Sequence, residues 1–169
     1  MRKDHPLKDS PGPALALFEP ERPHNLGAAM RLAACFGAGL HLIEPAGFPL
    51  DDRRIRAGAL DYGARVMWRR HITFEEFDSW RLAQGRRLVL LTTGAPLAHH
   101  RASFCSSDVL LVGSESNGVP EPVHERADLR VAVPLAPGAR SLNLVVAAAV
   151  VLAEAMRQCG RFDTIAADG

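Results

Sequence analysis

The stretch VLLVGSESNGVP, residues 109–120, carries the reading of the fold. Val109 to Val112 are four apolar residues in a row, running into Gly113 without a polar interruption. A strand with one wet face alternates; a strand without alternation is covered on both faces, as in parallel sheets. Gly113 and Gly118 then allow close backbone approach or positive φ, so the chain turns. The same pattern recurs at Ala14–Phe18, Gly39–Ile43, Leu88–Thr92 and Leu129–Val133, with Gly or Pro close to each. Between these runs lie helical patterns. One covers Leu26–Phe36, with Asn25 placed to cap it and Gly37 and Gly39 to close it. Weaker pieces cover Asp51–Ala59 and Thr73–Gln84, and a long apolar helix runs from Ser141 to Cys159. Apolar strands alternating with helices predict an α/β fold, a mostly parallel sheet with helices on both faces. Residues 1–13, with three prolines and no periodicity, read as a disordered tail; residues 14–160 read as one domain and 161–169 as a second tail.

Composition narrows the class. A chain of 169 residues, 47% hydrophobic and 23% charged, suits a single globular domain and excludes a disordered chain. The longest apolar run, Leu144–Ala153, is flanked by Asn143 and Glu154 and falls far short of the roughly 20 residues a membrane span needs. No basic stretch followed by an apolar core marks a secretory signal. Cys35, Cys105 and Cys159 are isolated, which suits a cytoplasmic protein without a zinc site. Net charge is only +1, but 18 of the 20 basic residues are arginine. Six of them (Arg53, Arg54, Arg56, Arg65, Arg69, Arg70) fall within residues 51–70 against three aspartates. Codon bias accounts for such a preference as well as a phosphate-gripping patch does.

Three loops follow apparent strands, where ligands bind in open α/β sheets. The first, residues 19–27, leads to Arg31, an arginine on an otherwise apolar helix. The second, residues 111–120, is neither a GxGxxG fingerprint nor a Walker loop nor a GxSxG elbow, so dinucleotide, nucleoside-triphosphate and hydrolase sites are unsupported. Its Glu115 serves equally as a helix cap. The third, residues 134–144, places Arg140, Ser141 and Asn143 at the start of the long helix, as a plain Ser cap or as a polar cradle for a ligand. His99-His100 lacks partners at metal-ligand spacing.

In this order, FEPERPHNLGAAMRL (18–32), LHLIEPAGFPLDDRRIRAGALDY (40–62), LVLLTT (88–93), LVGSESNGVP (111–120) and VPLAPGARSLNL (133–144) resemble the motifs of the SPOUT class of RNA methyltransferases, and in particular the TrmL (YibK-type) tRNA 2′-O-methyltransferase family. The resemblance implies a C-terminal deep trefoil knot, an exception to the rule against knots. It implies a homodimer that binds S-adenosylmethionine, without a metal, and methylates the ribose of the wobble nucleotide, cytidine or uridine, in the tRNA anticodon stem-loop. By motif match, the cofactor falls on Leu91, Thr92, Gly113, Val133, Ser141 and Leu142, and the reacting centre on Asn25, Arg31, Glu115, Ser141 and Asn143. The chain departs from the family pattern at Ala28, Ser116, Val145 and Ala153, where relatives often carry Asn, Thr, Ser and Tyr.

On this reading Arg31, held by Asn25, contacts the target phosphate and ribose and lowers the hydroxyl pKa electrostatically, since arginine stays protonated. Arg53, Arg54, Arg56 and Arg140 are expected to grip RNA phosphates. Two other readings remain: the same chemistry on another tRNA position or on rRNA, and a non-catalytic RNA-binding module.

Overall fold

The structure, a computed structural model, describes residues 11–50 and 66–167. Among these, seven strands form one sheet: β1 Ala14–Phe18, β2 Leu40–Ile43, β3 Trp68–His71, β4 Arg87–Leu91, β5 Leu97–Ala98, β6 Asp108–Val112 and β7 Leu129–Ala132. Their order is β3-β2-β1-β6-β4-β7-β5, and every neighbouring pair is parallel. The helices are α1 Pro23–Phe36, α2 Phe74–Ala83, α3 Glu121–Arg126, α4 Leu144–Gln158 and α5 Arg161–Ala167. No helix among the described residues is long and apolar enough to cross a membrane.

The run without alternation in β1 is explained by what covers it. Leu15 and Leu17 point to one face, packing with Leu26, Met30, Val151 and Leu152 of α1 and α4. Ala14, Ala16 and Phe18 point to the other, packing with Phe77 of α2 and Val123 of α3. Successive side chains on opposite faces, both apolar, are what a doubly covered sheet demands.

Several elements differ from the sequence expectation. Asn25 does not cap α1: Pro23 opens the helix two residues earlier, where its missing N–H costs nothing, so Asn25 lies in the first turn with its side chain free for other use. Ser141 does not cap the long helix either; Asn143 does, its Oδ1 accepting from the N–H groups of Val145 and Val146 at 2.9 and 3.3 Å. β3 was not expected as a strand, because WRRH has no apolar run. It is an edge strand paired only to β2, and its His71 packs at 3.0 Å from His41 beneath Phe77 and Trp80. Residues 161–167, expected as a tail, form α5, whose Phe162 meets Phe36 edge-to-face at 5.3 Å. At the other end, Gly12 and Pro13 are buried, and the Gly12 carbonyl accepts from Arg86 at 2.9 Å. The expected helix at 51–59, and with it Arg53, Arg54 and Arg56, lies outside the described residues, as do residues 1–10.

Candidate active site

The carboxyl ends of β4, β6 and β7, with the loops that follow them, enclose a cleft of about 630 Å³, within the range that holds a small organic ligand. All six expected cofactor residues, Leu91, Thr92, Gly113, Val133, Ser141 and Leu142, line it, together with Asn25, Glu115 and Asn143. Four segments separated widely in sequence therefore meet there.

Gly113 is required by a close approach. The loop doubles back so that Ser114 and Gly118 exchange backbone hydrogen bonds at 2.9 and 3.0 Å. A Cβ on Gly113 would come within 2.4 Å of the Gly118 carbonyl carbon, a clash with backbone rather than with a yielding side chain. Gly118, at φ 64°, takes the left-handed conformation that the turn needs.

Glu115 is the hub of the polar side. Its carboxylate accepts from the Glu21 N–H at 2.8 Å, the Arg22 N–H at 3.2 Å and Asn25 Nδ2 at 2.6 Å. Burial alone would raise its pKa, but these donors together outweigh burial and hold the carboxyl below its ordinary value. Glu115 is thus a fixed anion that organises the loop before α1, and a poor proton acceptor. The contact is reciprocated: Glu21 accepts from Ser116 Oγ at 2.6 Å and from its N–H at 3.3 Å. Asn25 in turn accepts from Asn143 Nδ2 at 3.0 Å, which ties the first turn of α1 to the start of α4.

The side chain of Asn25 is therefore committed to Glu115 and Asn143 and not to Arg31, contrary to expectation. Arg31 is exposed on α1 and is not among the residues lining the cleft; nor is the exposed Arg140. Sequence reasoning missed Arg22, Leu135 and His124, which do line it. Arg22 and Leu135 are motif neighbours and were findable by position; His124 lies on a short helix with no motif signal.

A family description, the SpoU rRNA methylase family, matches residues 13–153. The chain belongs to this family. Within it, the chain is 52% identical over 149 residues to the tRNA (cytidine(34)-2′-O)-methyltransferase of Ancylobacter novellus, spanning 88% of this chain and 94% of that protein. It is 39% identical over 148 residues to the Escherichia coli K12 protein of the same name, spanning 86% and 93%. Among solved structures, one concerned with the 2-OH methylation of C/U34 on tRNA is similar at a TM-score of 0.80 and 38% identity, over 86% of this chain and 95% of that one. The SpoU methyltransferase AviRb of Streptomyces viridochromogenes in complex with AdoMet is similar at a TM-score of 0.79 and 27% identity, over 92% of this chain and 60% of that one.

Proposed function

We propose that this chain is a tRNA methyltransferase that moves a methyl group from S-adenosylmethionine to the ribose 2′-OH of the wobble nucleotide, cytidine or uridine, in the anticodon loop. The observation that carries this reading is the convergence of Asn25, Glu115 and Asn143 on a cleft walled by Leu91, Gly113, Val133 and Leu142. The named relatives, similar over almost their whole length, support the substrate.

The cleft suits the cofactor: apolar strand ends for a nucleoside, and a glycine at position 113 that lets the loop lining the cleft fold back against Gly118. When bound, S-adenosylmethionine supplies a methyl group on a sulfonium, a donor that needs orientation more than activation. Transfer would form the O–CH3 bond as the S–CH3 bond breaks, leaving the electron pair on sulfur and requiring the hydroxyl to give up its proton. The chain's task is to place the ribose and to favour loss of that proton. Glu115 and Asn143 position the first turn of α1, and Arg31 supplies a fixed positive charge toward the target phosphate. Since Arg31 lies outside the cleft lining, its role is to meet RNA arriving at the mouth. Arg140, and Arg53, Arg54 and Arg56 in the undescribed segment, are assigned to anticodon-stem phosphates. A wobble ribose in a single-stranded loop is reachable without opening a duplex.

Two architectural readings accompany this one. The C-terminal part is a deep trefoil knot; supporting it, β7 is inserted between β4 and β5, elements consecutive in the chain, before α4 returns to pack on β1 and β6. The working unit is a cytoplasmic homodimer; supporting the dimer, Leu142, Val146 and Val150 recur every four residues and are 40%, 51% and 37% exposed.

The test is to incubate the purified protein with labelled S-adenosylmethionine and tRNA lacking wobble methylation, then identify the product nucleoside by mass spectrometry. Ribose-methylated cytidine or uridine at position 34 is the expected product. Base methylation, or ribose methylation elsewhere, overturns the substrate and keeps the class; no transfer to tRNA overturns the tRNA reading.

A further inference from the structure

The wall of the cleft built by α3 carries a group that no motif contains. Val123, 2% exposed, anchors α3 on the sheet face it shares with Phe77, Leu88, Leu90 and Leu111. The next residue, His124, is half-buried and lines the cleft. Its backbone is fixed at both ends: its N–H donates to the Pro120 carbonyl at 3.2 Å, and its carbonyl accepts from the Ala127 N–H at 3.3 Å. The far end of α3 is pinned by the buried Arg81, whose Nη2 donates to the Arg126 carbonyl at 3.3 Å. The imidazole itself has no hydrogen bond to a described residue. A ring at a cleft wall, carried on a backbone fixed at both ends and with its nitrogens unengaged by the described residues, offers hydrogen-bonding nitrogens to whatever fills the cleft.

His124 and Arg22 are the basic side chains among the described residues of the lining, and they come from different sides. Arg22 immediately precedes α1, and the Asn25–Asn143 link joins α1 to α4, the two helices that pack on one sheet face. His124 enters from the opposite face, where Leu90 and Val119 of the lining pack in the same apolar cluster as Val123 of α3. Aliphatic side chains with an imidazole and neutral polar groups among them suit a nucleoside, whose base offers flat apolar faces and whose ring nitrogens or ribose hydroxyls offer hydrogen bonds. They do not suit a carboxylate, which collects several donors.

We propose that His124 hydrogen-bonds the nucleoside half of S-adenosylmethionine and sets the affinity for the cofactor without taking part in methyl transfer. This inference rests on the cofactor reading above. The test is calorimetric titration of S-adenosylhomocysteine and of adenosine into the wild type, His124→Ala, His124→Leu and His124→Gln, with steady-state kinetics on tRNA and a melting temperature for each. His124→Ala weakens both ligands about five- to tenfold and raises the KM for S-adenosylmethionine by a similar factor, with kcat and the tRNA KM within about twofold of wild type. His124→Leu, which fills the space without polar atoms, shows the same loss, and His124→Gln recovers most of it. The proposal is overturned if His124→Leu binds both ligands as the wild type does, if S-adenosylhomocysteine is weakened and adenosine is not, or if kcat falls at unchanged KM. A wild type that binds neither ligand is a different failure, which overturns the cofactor reading and this inference with it.

Discussion

Asn143 donates its amide N–H to the Asn25 carbonyl at 3.0 Å, across 118 residues of chain. The direction of that bond is dictated at both ends. Glu115, a carboxylate, can only accept, so the Asn25 nitrogen must face it at 2.6 Å and the Asn25 oxygen must face Asn143. The Asn143 oxygen is already taken by two N–H groups of α4, so its nitrogen must donate. Neither amide can flip without leaving a donor against a donor.

Glu115→Gln tests this arrangement. An amide oxygen replaces one carboxylate oxygen and an NH2 group replaces the other, so the Glu21 and Arg22 N–H groups and the Asn25 amide can no longer all be accepted. Losing hydrogen bonds to a charged group costs about 1.5–3 kcal/mol. The melting temperature drops by several degrees, and methyl transfer falls by about a hundredfold or more as the first turn of α1 loses its anchor. Unchanged transfer in a stopped assay would show that Glu115 does not organise the site.

Gly113→Ala puts a methyl group into the Gly118 backbone. The loop must open to admit it, and the floor of the cleft opens with it. Binding of S-adenosylhomocysteine, followed by calorimetry, weakens by at least about tenfold, and the protein still folds, since β6 ends before the clash.

Acid sensitivity comes from the buried imidazole of His41. Burial first, then the charges of His71, Arg86 and Arg69, hold the His41 pKa well below its ordinary 6.5. A histidine kept neutral in the native state binds its proton in the unfolded state first. Stability is therefore complete above about pH 6.5 and is lost as pH falls below it, by about 1.4 kcal/mol per unit until the native His41 titrates. Urea unfolding between about pH 7.5 and 5.5 reads this slope. A flat profile would contradict the burial of a neutral His41 beside His71.

Arg31→Lys keeps the charge and loses the planar fork. If Arg31 grips the phosphate next to the target ribose, kcat falls by about a hundredfold while the affinity for S-adenosylhomocysteine stays put, because Arg31 lies outside the cleft lining. Single-turnover transfer to tRNA at the wild-type rate would remove Arg31 from the reaction.

Val146→Glu places a charge in the exposed stripe of α4. For a homodimer packed on that stripe, equilibrium sedimentation shows the variant as a monomer under conditions where the wild type is a dimer.

Most of the sheet was legible because a doubly covered strand leaves an unbroken apolar run. β1 and β6 were readable for that reason, with boundaries within a residue. β3 was hidden because an edge strand with half-exposed arginines needs no such run. α5 was hidden because only Phe162 and Ile165 of its seven residues pack on the core. At the site, residue types were legible and partners were not. Asn25 and Ser141 both looked like caps, since a cap is the commonest use of a polar residue at a helix start. What displaced them was Pro23, which opens α1 early, and Asn143, which caps α4. Glu115 gave no hint of three donors, because two are backbone groups some 94 residues away.

The place of β7 has a consequence for the newly made chain. β5 follows β4 directly in sequence yet pairs with β7, and β7 fills the slot beside β4. As the polypeptide leaves the ribosome, N-terminal end first, that slot stays empty until residue 132 is free, and Asn25 waits longer still for Asn143. A chain cut short anywhere before α4 lacks the far wall of the cleft and the amide that steadies α1. The cleft is therefore complete only when nearly the whole described chain has been made.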